Sequence, residues 1–179
     1  GGAGFLGRYL VKRLAQQGLQ VRVAVRDPEA ASFLKPMGDV GQVQPIQANI
    51  RNQASIARAV AGADVVINLA GVMFPGGAQS FQAVHVDGAE TVARAAAAAG
   101  VGRLIHISAI GADAEADSKY ARSKATGEAM VRAAYPDASI VRPSTIFGAE
   151  DHFFNLFARL ATLTPVMPLL GGGNRCMQP

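Results

Sequence analysis

The 179-residue sequence predicts a doubly wound α/β fold built on a parallel sheet. Short runs of β-branched and apolar residues alternate with longer segments of helical periodicity, and glycines follow most of the helical segments. Half of the residues are hydrophobic and 17% are charged, which is typical of one globular domain. At this length a folded chain buries about 70% of the surface of its unfolded form, so stability requires no disulfide or structural metal.

Each element follows from its local pattern. Runs of β-branched and apolar residues bounded by turn residues predict buried strands at residues 21–25, 43–48, 65–69, 104–107 and 140–141. Helical periodicity predicts helices at residues 5–17, 55–60, 81–99 and 120–134. Gly18, Gly62 and Gly100 are expected to close the first three of these helices. Strands and helices that alternate in this way predict crossover helices on both faces of one parallel sheet.

Charge and cysteine content exclude several classes of function. The chain has 17 Lys and Arg against 13 Asp and Glu, but the basic residues are scattered, so we expect no nucleic-acid partner. The single cysteine, Cys176, fits a reducing compartment and a cytoplasmic location. The three histidines lack metal-ligand spacing, and we predict no metal site. No apolar run approaches the ~18 residues that span a bilayer, so no transmembrane segment is predicted.

A glycine-rich segment at residues 1–7 precedes the first predicted helix. It fits the pattern GxxGxxG from Gly1 and GxGxxG from Gly2. Glycines permit a tight turn and a close approach to the backbone, and the N-terminus of the following helix attracts a pyrophosphate. A tight turn without a ligand is the alternative. The pattern predicts a dinucleotide partner that contacts Gly1, Gly2, Gly4, Phe5, Leu6 and Gly7.

Both ends of the sequence indicate a fragment. A strand normally delivers such a glycine loop, yet Gly1 is the first residue, so we expect the first and central strand of the fold to lie upstream. Residues 165–179 are rich in proline and glycine and complete no element. We therefore predict a truncated dinucleotide-binding domain at residues 1–150 and the start of a C-terminal substrate or interaction region at residues 151–179.

The residues after the second strand of the complete fold favour NADP(H) over NAD(H). NAD-binding proteins usually carry an acidic residue there, about 20 residues past the loop, to hold the ribose 2′-hydroxyl. Val25 and Arg26 occupy that place here, and an arginine can pair with a 2′-phosphate. Asp27 leaves an alternative, because it can accept the ribose hydroxyl itself. Asp27 can also cap a helix that starts at Pro28.

Tyr120 and Lys124 lie one helical turn apart on the same face of the fourth predicted helix. A nearby cation favours the phenolate and lowers the pKa of a tyrosine, which suits proton exchange with a substrate oxygen during hydride transfer. Their helix follows a strand, so both side chains are expected at the carboxyl ends of the strands. A solvated helix face is the alternative interpretation.

These motifs resemble the short-chain dehydrogenase/reductase superfamily, in its extended or atypical branch of NAD(P)-dependent epimerases, dehydratases and reductases. The resemblance rests on the loop at residues 1–7, on Tyr120 with Lys124, and on Asn68-Leu69-Ala70-Gly71, Arg142-Pro143-Ser144 and Phe147-Gly148. It implies a Rossmann fold, with Ser108 as a catalytic residue beside Tyr120 and Lys124. It also implies that the dinucleotide contacts Asn49, Ile50, Leu69, Ala70, Gly71, Tyr120, Lys124 and Pro143.

Four phrases narrow the resemblance further. Residues 85–88, 107–112, 120–124 and 171–174 are similar to the NAD(P)-binding accessory subunits of respiratory complex I and their bacterial homologues. This resemblance implies a protein that holds NADPH as a structural or redox-sensing ligand. It also implies docking on respiratory complex I or a quinone-related assembly, peripheral to the inner face of the respiratory membrane.

Three residues depart from the superfamily pattern. Active relatives carry a Ser or Thr that hydrogen-bonds the substrate carbonyl, and Ala109 stands in that place beside Ser108. Asn49 replaces an Asp that accepts from the adenine amino group, and His85 replaces a common Asn. These changes favour a protein that keeps its nucleotide without turnover. The alternative is an active NADP-dependent reductase, epimerase or dehydratase in which Tyr120 performs the acid/base chemistry.

Two further features have structural interpretations. His106 is flanked by Ile105 and Ile107, so we expect a buried core histidine with satisfied hydrogen bonds. Residues 153–170 carry more apolar side chains than a solvent-facing segment, and we expect them to pack against the C-terminal region. Covering a substrate pocket and meeting a protein or membrane surface are the alternatives for this segment.

Overall fold

A computed structural model describes residues 1–151 and 153–164 of the chain. The described residues belong to two compact units, one over Gly1–Arg142 and the other beginning at Pro143. Within the described ranges, no helix is long and apolar enough to cross a membrane. The domain boundary at residue 150 stays a prediction.

The first unit alternates strands and helices in the predicted order. Each predicted strand is confirmed to within one residue at either end. Its elements are α1 (Phe5–Gln16), β1 (Val21–Val25), β2 (Val43–Gln47), α2 (Gln53–Val60), β3 (Val65–Asn68), α3 (Asp87–Ala98), β4 (Arg103–Ile107), α4 (Lys119–Ala134) and β5 (Ser139–Val141). The second unit contains α5 (Phe154–Leu163).

All strand pairs are parallel, as a doubly wound fold requires. β1 pairs with β2, starting with Val21 opposite Val43, and a second sheet has the order β3-β4-β5. The glycine loop begins between the two sheets. A Cβ atom added to Gly2 would overlap the Val23 side chain in β1, and one added to Gly1 would overlap the backbone of Leu69, just after β3. The loop thus lies at the carboxyl end of β3.

Two apolar clusters hold the elements together. In the first, α1 packs against β1, β2 and the segment between them, and its buried residues are Val11, Ala15, Val23, Ala31, Leu34 and Val43. In the second, α2, α3 and α4 pack around β4, and its buried residues include Ile56, Val60, Val92, Ala93, Leu104 and Val131. Left-handed φ values of 79°, 66° and 66° at Gly18, Gly62 and Gly100 confirm the predicted helix ends.

Two local structures differ from the predictions. The prediction of a helix that starts at Pro28 is wrong. Asp27 caps only a turn, and the chain then forms a 3₁₀ helix over Ser32–Met37. The continuous helix expected over residues 81–99 instead begins with a π-helical turn over Gln82–Val86. This turn places the carbonyl oxygen of His85 against Gly127 of α4, where an added Cβ atom would overlap it.

We expect Gly127→Ala to lower the free energy of unfolding by about 1–3 kcal/mol, the usual cost of overpacking. Helix propensity alone would favour Ala over Gly by about 1 kcal/mol, so the sign of the change is informative. Urea denaturation measures it. Gly76→Ala is the matched control, because a Cβ atom there meets nothing within 4 Å. A stabilised Gly127→Ala protein would contradict this packing.

Candidate dinucleotide-binding site

The glycine loop turns directly into the N-terminus of α1. The amide of Gly4 donates to the carbonyl of Gly1 at 3.0 Å, and no side chain caps the helix. A Cβ atom added to Gly7 would lie 2.5 Å from the Gly1 carbonyl oxygen, so the loop and the helix approach closely. First-turn amides have no intrahelical acceptors. The amides of Phe5, Leu6 and Gly7 therefore fit a bound pyrophosphate.

Arg26 and Asp27 follow β1 and have different surroundings. Arg26 is exposed and lies near enough to Gly1 for its charge to act on the loop. One carboxylate oxygen of Asp27 accepts from the amides of Glu29 and Ala30, at 3.0 and 3.1 Å. Asp27 thus stabilises the turn after the strand, while Arg26 is available at the surface.

Asn49 and Ile50 follow β2. The side-chain oxygen of Asn49 accepts from the backbone amide of Arg51 at 3.1 Å. The backbone amide of Asn49 donates to the Ser55 hydroxyl at 3.0 Å, and that hydroxyl lies 3.1 Å from the backbone carbonyl of Asn49. Ile50 packs on the core, where a Cβ atom added to Gly88 would lie 2.9 Å from its side chain. The side-chain oxygen of Asn49 is held in a local turn and can accept a second hydrogen bond.

Polar contacts hold the segment after β3. The buried Asn68 accepts from the amide of Ala70 at 3.0 Å through Oδ1, and its Nδ2 lies 3.1 Å from Nδ1 of His106. The amide of Val72 donates to Nε2 of His85 at 3.0 Å. These bonds fix the backbone of Leu69-Ala70-Gly71, the predicted dinucleotide contacts beside the glycine loop.

Tyr120 lies in the first turn of α4 among other rings. It packs edge-on against Phe81 and His85, with ring centroids 5.9 and 5.4 Å away, and Phe81 stacks on His85 at 5.3 Å. Burial raises the pKa of Tyr120. The expectation that Lys124 lowers this pKa is therefore wrong for the chain alone, because the phenol is partly withdrawn from water among aromatic side chains.

Lys124 is buried, with only 4% of its surface exposed. Its Nζ donates to the carbonyl of Ile107 at the end of β4, at 2.9 Å. Burial lowers the pKa of Lys124 to about 8, although Glu128 opposes the shift. Glu128 accepts two hydrogen bonds from Arg142, at 2.9 and 2.7 Å. Burial is the largest influence and favours the neutral form of Glu128, but the bonds and charge of Arg142, together with Ser108 and His106, outweigh it and lower the pKa of that carboxyl.

Ser108 lies on the Glu128 side of β4. Its hydroxyl is near enough to Glu128 to help lower the pKa of that carboxyl. The Ser108 hydroxyl has no hydrogen-bond partner among the described residues, and so it forms no bond to Tyr120 there. The predicted burial of His106 is confirmed at 1% exposure. The prediction that the hydrogen bonds of His106 are satisfied is wrong in part. Its Nδ1 contacts Asn68, whereas its Nε2 has no partner among the described residues.

The carboxyl ends of the strands bring most of the predicted residues together. The glycine loop and the segment after β3 adjoin there, Lys124 reaches the end of β4, and His85 connects Tyr120 to the segment after β3. His85 is not among the predicted site residues, and its departure from the superfamily pattern is the signal that marks it. Pro143 belongs to the second unit and stays a prediction. Cys176, His152 and residues 171–174 lie outside the described residues.

Known proteins of similar sequence include subunits of respiratory complex I. The NADH-ubiquinone oxidoreductase 40 kDa subunit of Neurospora crassa is 41% identical over 163 residues, which are 91% of this chain and 44% of that protein. A ceramide reductase of Caulobacter vibrioides is 39% identical over 176 residues, 98% of this chain and 54% of that protein. The chain thus spans about half the length of the curated relatives it matches.

Solved structures agree on the fold. The dTDP-glucose 4,6-dehydratase DesIV of Streptomyces venezuelae, with NAD and TYD bound, has a TM-score of 0.74 at 25% identity, over 90% of this chain and 61% of that one. The Citrobacter triphenylmethane reductase complexed with NADP(H) has a TM-score of 0.70 at 21% identity, over 91% and 53%. The family model described as NAD(P)H-binding matches residues 1–152. These findings confirm the predicted Rossmann fold and the predicted resemblance, and the chain belongs to the NAD(P)H-binding family.

Proposed function

We propose that this chain is the dinucleotide-binding part of a protein that holds NADPH as a structural or redox-sensing ligand. The observation that carries the proposal is the absence of a hydroxyl at Ala109, together with a Ser108 hydroxyl that is buried beside Glu128. A substrate carbonyl would lack the donor that polarises it in active enzymes of the superfamily. The raised pKa of Tyr120 points the same way, because it disfavours the phenolate.

Residues of this chain would contact each part of the bound NADPH. Amides at the start of α1 donate hydrogen bonds to the pyrophosphate, and Arg26 pairs with the 2′-phosphate that distinguishes NADP from NAD. Asp27 competes little for the ribose, because its carboxylate caps a turn. Lys124 donates to the nicotinamide ribose from the end of β4. Bound NADPH supplies a transferable hydride, and a redox-sensing role would use the difference in affinity between its two oxidation states.

The proposed partner is respiratory complex I or a quinone-related assembly, with the protein peripheral to the inner face of the respiratory membrane. Support comes from the relative of 41% identity that is named as a subunit of NADH-ubiquinone oxidoreductase.

An active NADP-dependent reductase, epimerase or dehydratase is the second candidate function. It is favoured by the place of Tyr120 and Lys124, which are one turn apart in α4 and lie near the ends of β3 and β4. The relative named as a ceramide reductase also supports it. In this reading Tyr120 exchanges a proton with the substrate, Lys124 holds the ribose and Ser108 polarises the carbonyl.

We expect Arg26→Ala to weaken NADPH binding by about ten- to a hundredfold, since it removes a charged hydrogen-bond pair worth roughly 1.5–3 kcal/mol. NADH affinity should change little, because NADH lacks the 2′-phosphate. Fluorescence titration of the full-length protein with both dinucleotides measures the ratio. Arg132→Ala, which removes an exposed charge from α4, is the control. Equal affinity of the unchanged protein for both dinucleotides would contradict the role of Arg26.

Tyr120→Phe and Lys124→Met separate the two candidate functions. For a binding protein, we expect no NADPH oxidation with carbonyl or quinone substrates, unchanged NADPH affinity in Tyr120→Phe, and a loss of about tenfold or more in Lys124→Met. For an enzyme, Tyr120→Phe abolishes turnover while NADPH stays bound. Steady-state oxidation and nucleotide titration are measured on the same preparations. Turnover that persists in Tyr120→Phe would exclude this tyrosine as the acid/base group.

The affinity for NADPH should fall as the pH rises through the pKa of Lys124. This pKa is lowered to about 8, so the amine is charged at pH 7 and largely neutral at pH 9. Replacing a charged donor by a neutral one costs about 1 kcal/mol, or roughly fivefold in affinity. Titration at both pH values measures the change. The Lys124→Met protein serves as control and should show a flat profile, and an equally steep profile there would assign the effect to another group.

A further inference from the structure

His85 lies between two parts of the site that come from different elements. It belongs to the π-helical turn before α3, and only 2% of its surface is exposed. Nε2 accepts from the amide of Val72 at 3.0 Å. Nδ1 lies 2.9 Å from the hydroxyl of Ser123, which is itself 2.7 Å from the carbonyl of Tyr120. The imidazole thus connects the segment after β3 to the first turn of α4.

The direction of every bond follows from the amide of Val72, which can only donate. Nε2 of His85 must accept, so the proton of the neutral ring is on Nδ1. Nδ1 then donates to the Ser123 hydroxyl, and that hydroxyl donates to the Tyr120 carbonyl. Burial and the charge of Lys124 lower the pKa of His85 to about 4, which agrees with a neutral ring at pH 7. A single tautomer satisfies all three bonds.

The packing leaves the ring one orientation. Phe81 stacks on it with the planes 19° apart, and Tyr120 packs against it edge-on at 87°. The backbone of His85 is also held, because its carbonyl lies against Gly127, where there is no room for a side chain. A rigid ring with two occupied nitrogens sets the distance between the two groups that it bridges.

We propose that His85 is a positioning residue that holds the segment after β3 at a fixed separation from the start of α4. Gly71 lies on the first of these and Tyr120 on the second, and both are proposed dinucleotide contacts, so the inference rests on the proposed function. The bridge itself is a property of the ligand-free protein. It can therefore be tested separately from nucleotide binding.

Nitrogen-15 NMR of the full-length protein at pH 7 tests the bridge without a variant or a ligand. His85 should be protonated on Nδ1. His106 should be the opposite tautomer, because its Nδ1 accepts from the Asn68 amide nitrogen, whose orientation is set by the bond from Ala70 to Oδ1. The two patterns are distinct in one two-bond correlation spectrum, and His85→Asn assigns them. A His85 ring that is protonated on Nε2 or exchanges between tautomers would overturn the proposal.

Replacing His85 with Asn or with Gln tests the two hydrogen bonds of the bridge separately. An Asn amide reaches the place of Nδ1 and keeps the bond to Ser123, whereas a Gln amide reaches the place of Nε2 and keeps the bond from Val72. We expect His85→Asn to weaken NADPH binding by about two- to tenfold, the value of one neutral hydrogen bond, because it releases the segment that carries Gly71. His85→Gln should weaken binding less than about twofold, because that segment stays bonded and Tyr120 still packs on Phe81.

Ser123→Ala in each background completes the test in ligand-free protein. The coupling between positions 85 and 123 in the unfolding equilibrium should persist with Asn at position 85 and vanish with Gln. Equal losses of NADPH affinity in the Asn and Gln variants, in proportion to their loss of stability, would show that His85 only fills space. If the unchanged protein does not bind NADPH, the proposed function fails, while the tautomer and the coupling still decide whether the bridge exists.

Discussion

Lys124 carries an amine in a place that water hardly reaches, and much of the site is arranged around it. Desolvating an ion costs several kcal/mol, which one bond to the carbonyl of Ile107 does not offset, so the pKa falls to about 8. One turn later Glu128 brings an opposite charge that Arg142 already neutralises. Apolar side chains would hold α4 to β4 and β5 at lower cost. A buried amine at the carboxyl end of β4 therefore favours a role in binding or chemistry over one in stability.

Most of the fold could be predicted because its signals are local. Strand runs and the left-handed glycines at Gly18, Gly62 and Gly100 depend on a few neighbouring residues, and the structure agrees with them. The π-helical turn over Gln82–Val86 could not be predicted, because five residues are too few for an apolar pattern to distinguish it from an α-helix. What distinguishes it is a tertiary contact, the approach of the His85 carbonyl to Gly127.

The candidate site was predictable to the same extent. Spacing alone puts Tyr120 and Lys124 on one face of α4, but the direction of the Tyr120 pKa depends on Phe81 and His85, which come from another element. The position of the Ser108 side chain near Glu128 could have been predicted from the sequence. Side chains alternate along a strand, so Ser108 shares a side of β4 with His106, and both lie near Glu128.

Binding and catalysis make separable demands on this architecture. A pyrophosphate is held by backbone amides at a helix N-terminus, which depend on glycines and on the path of the chain, and a side-chain change elsewhere does not remove them. Acid/base catalysis needs a hydroxyl at one position and a tyrosine that ionises readily. Here Ala109 lacks the first, and burial among Phe81 and His85 opposes the second. The proposed structural or sensing nucleotide site needs only the backbone features of binding, whereas the second candidate function needs both sets.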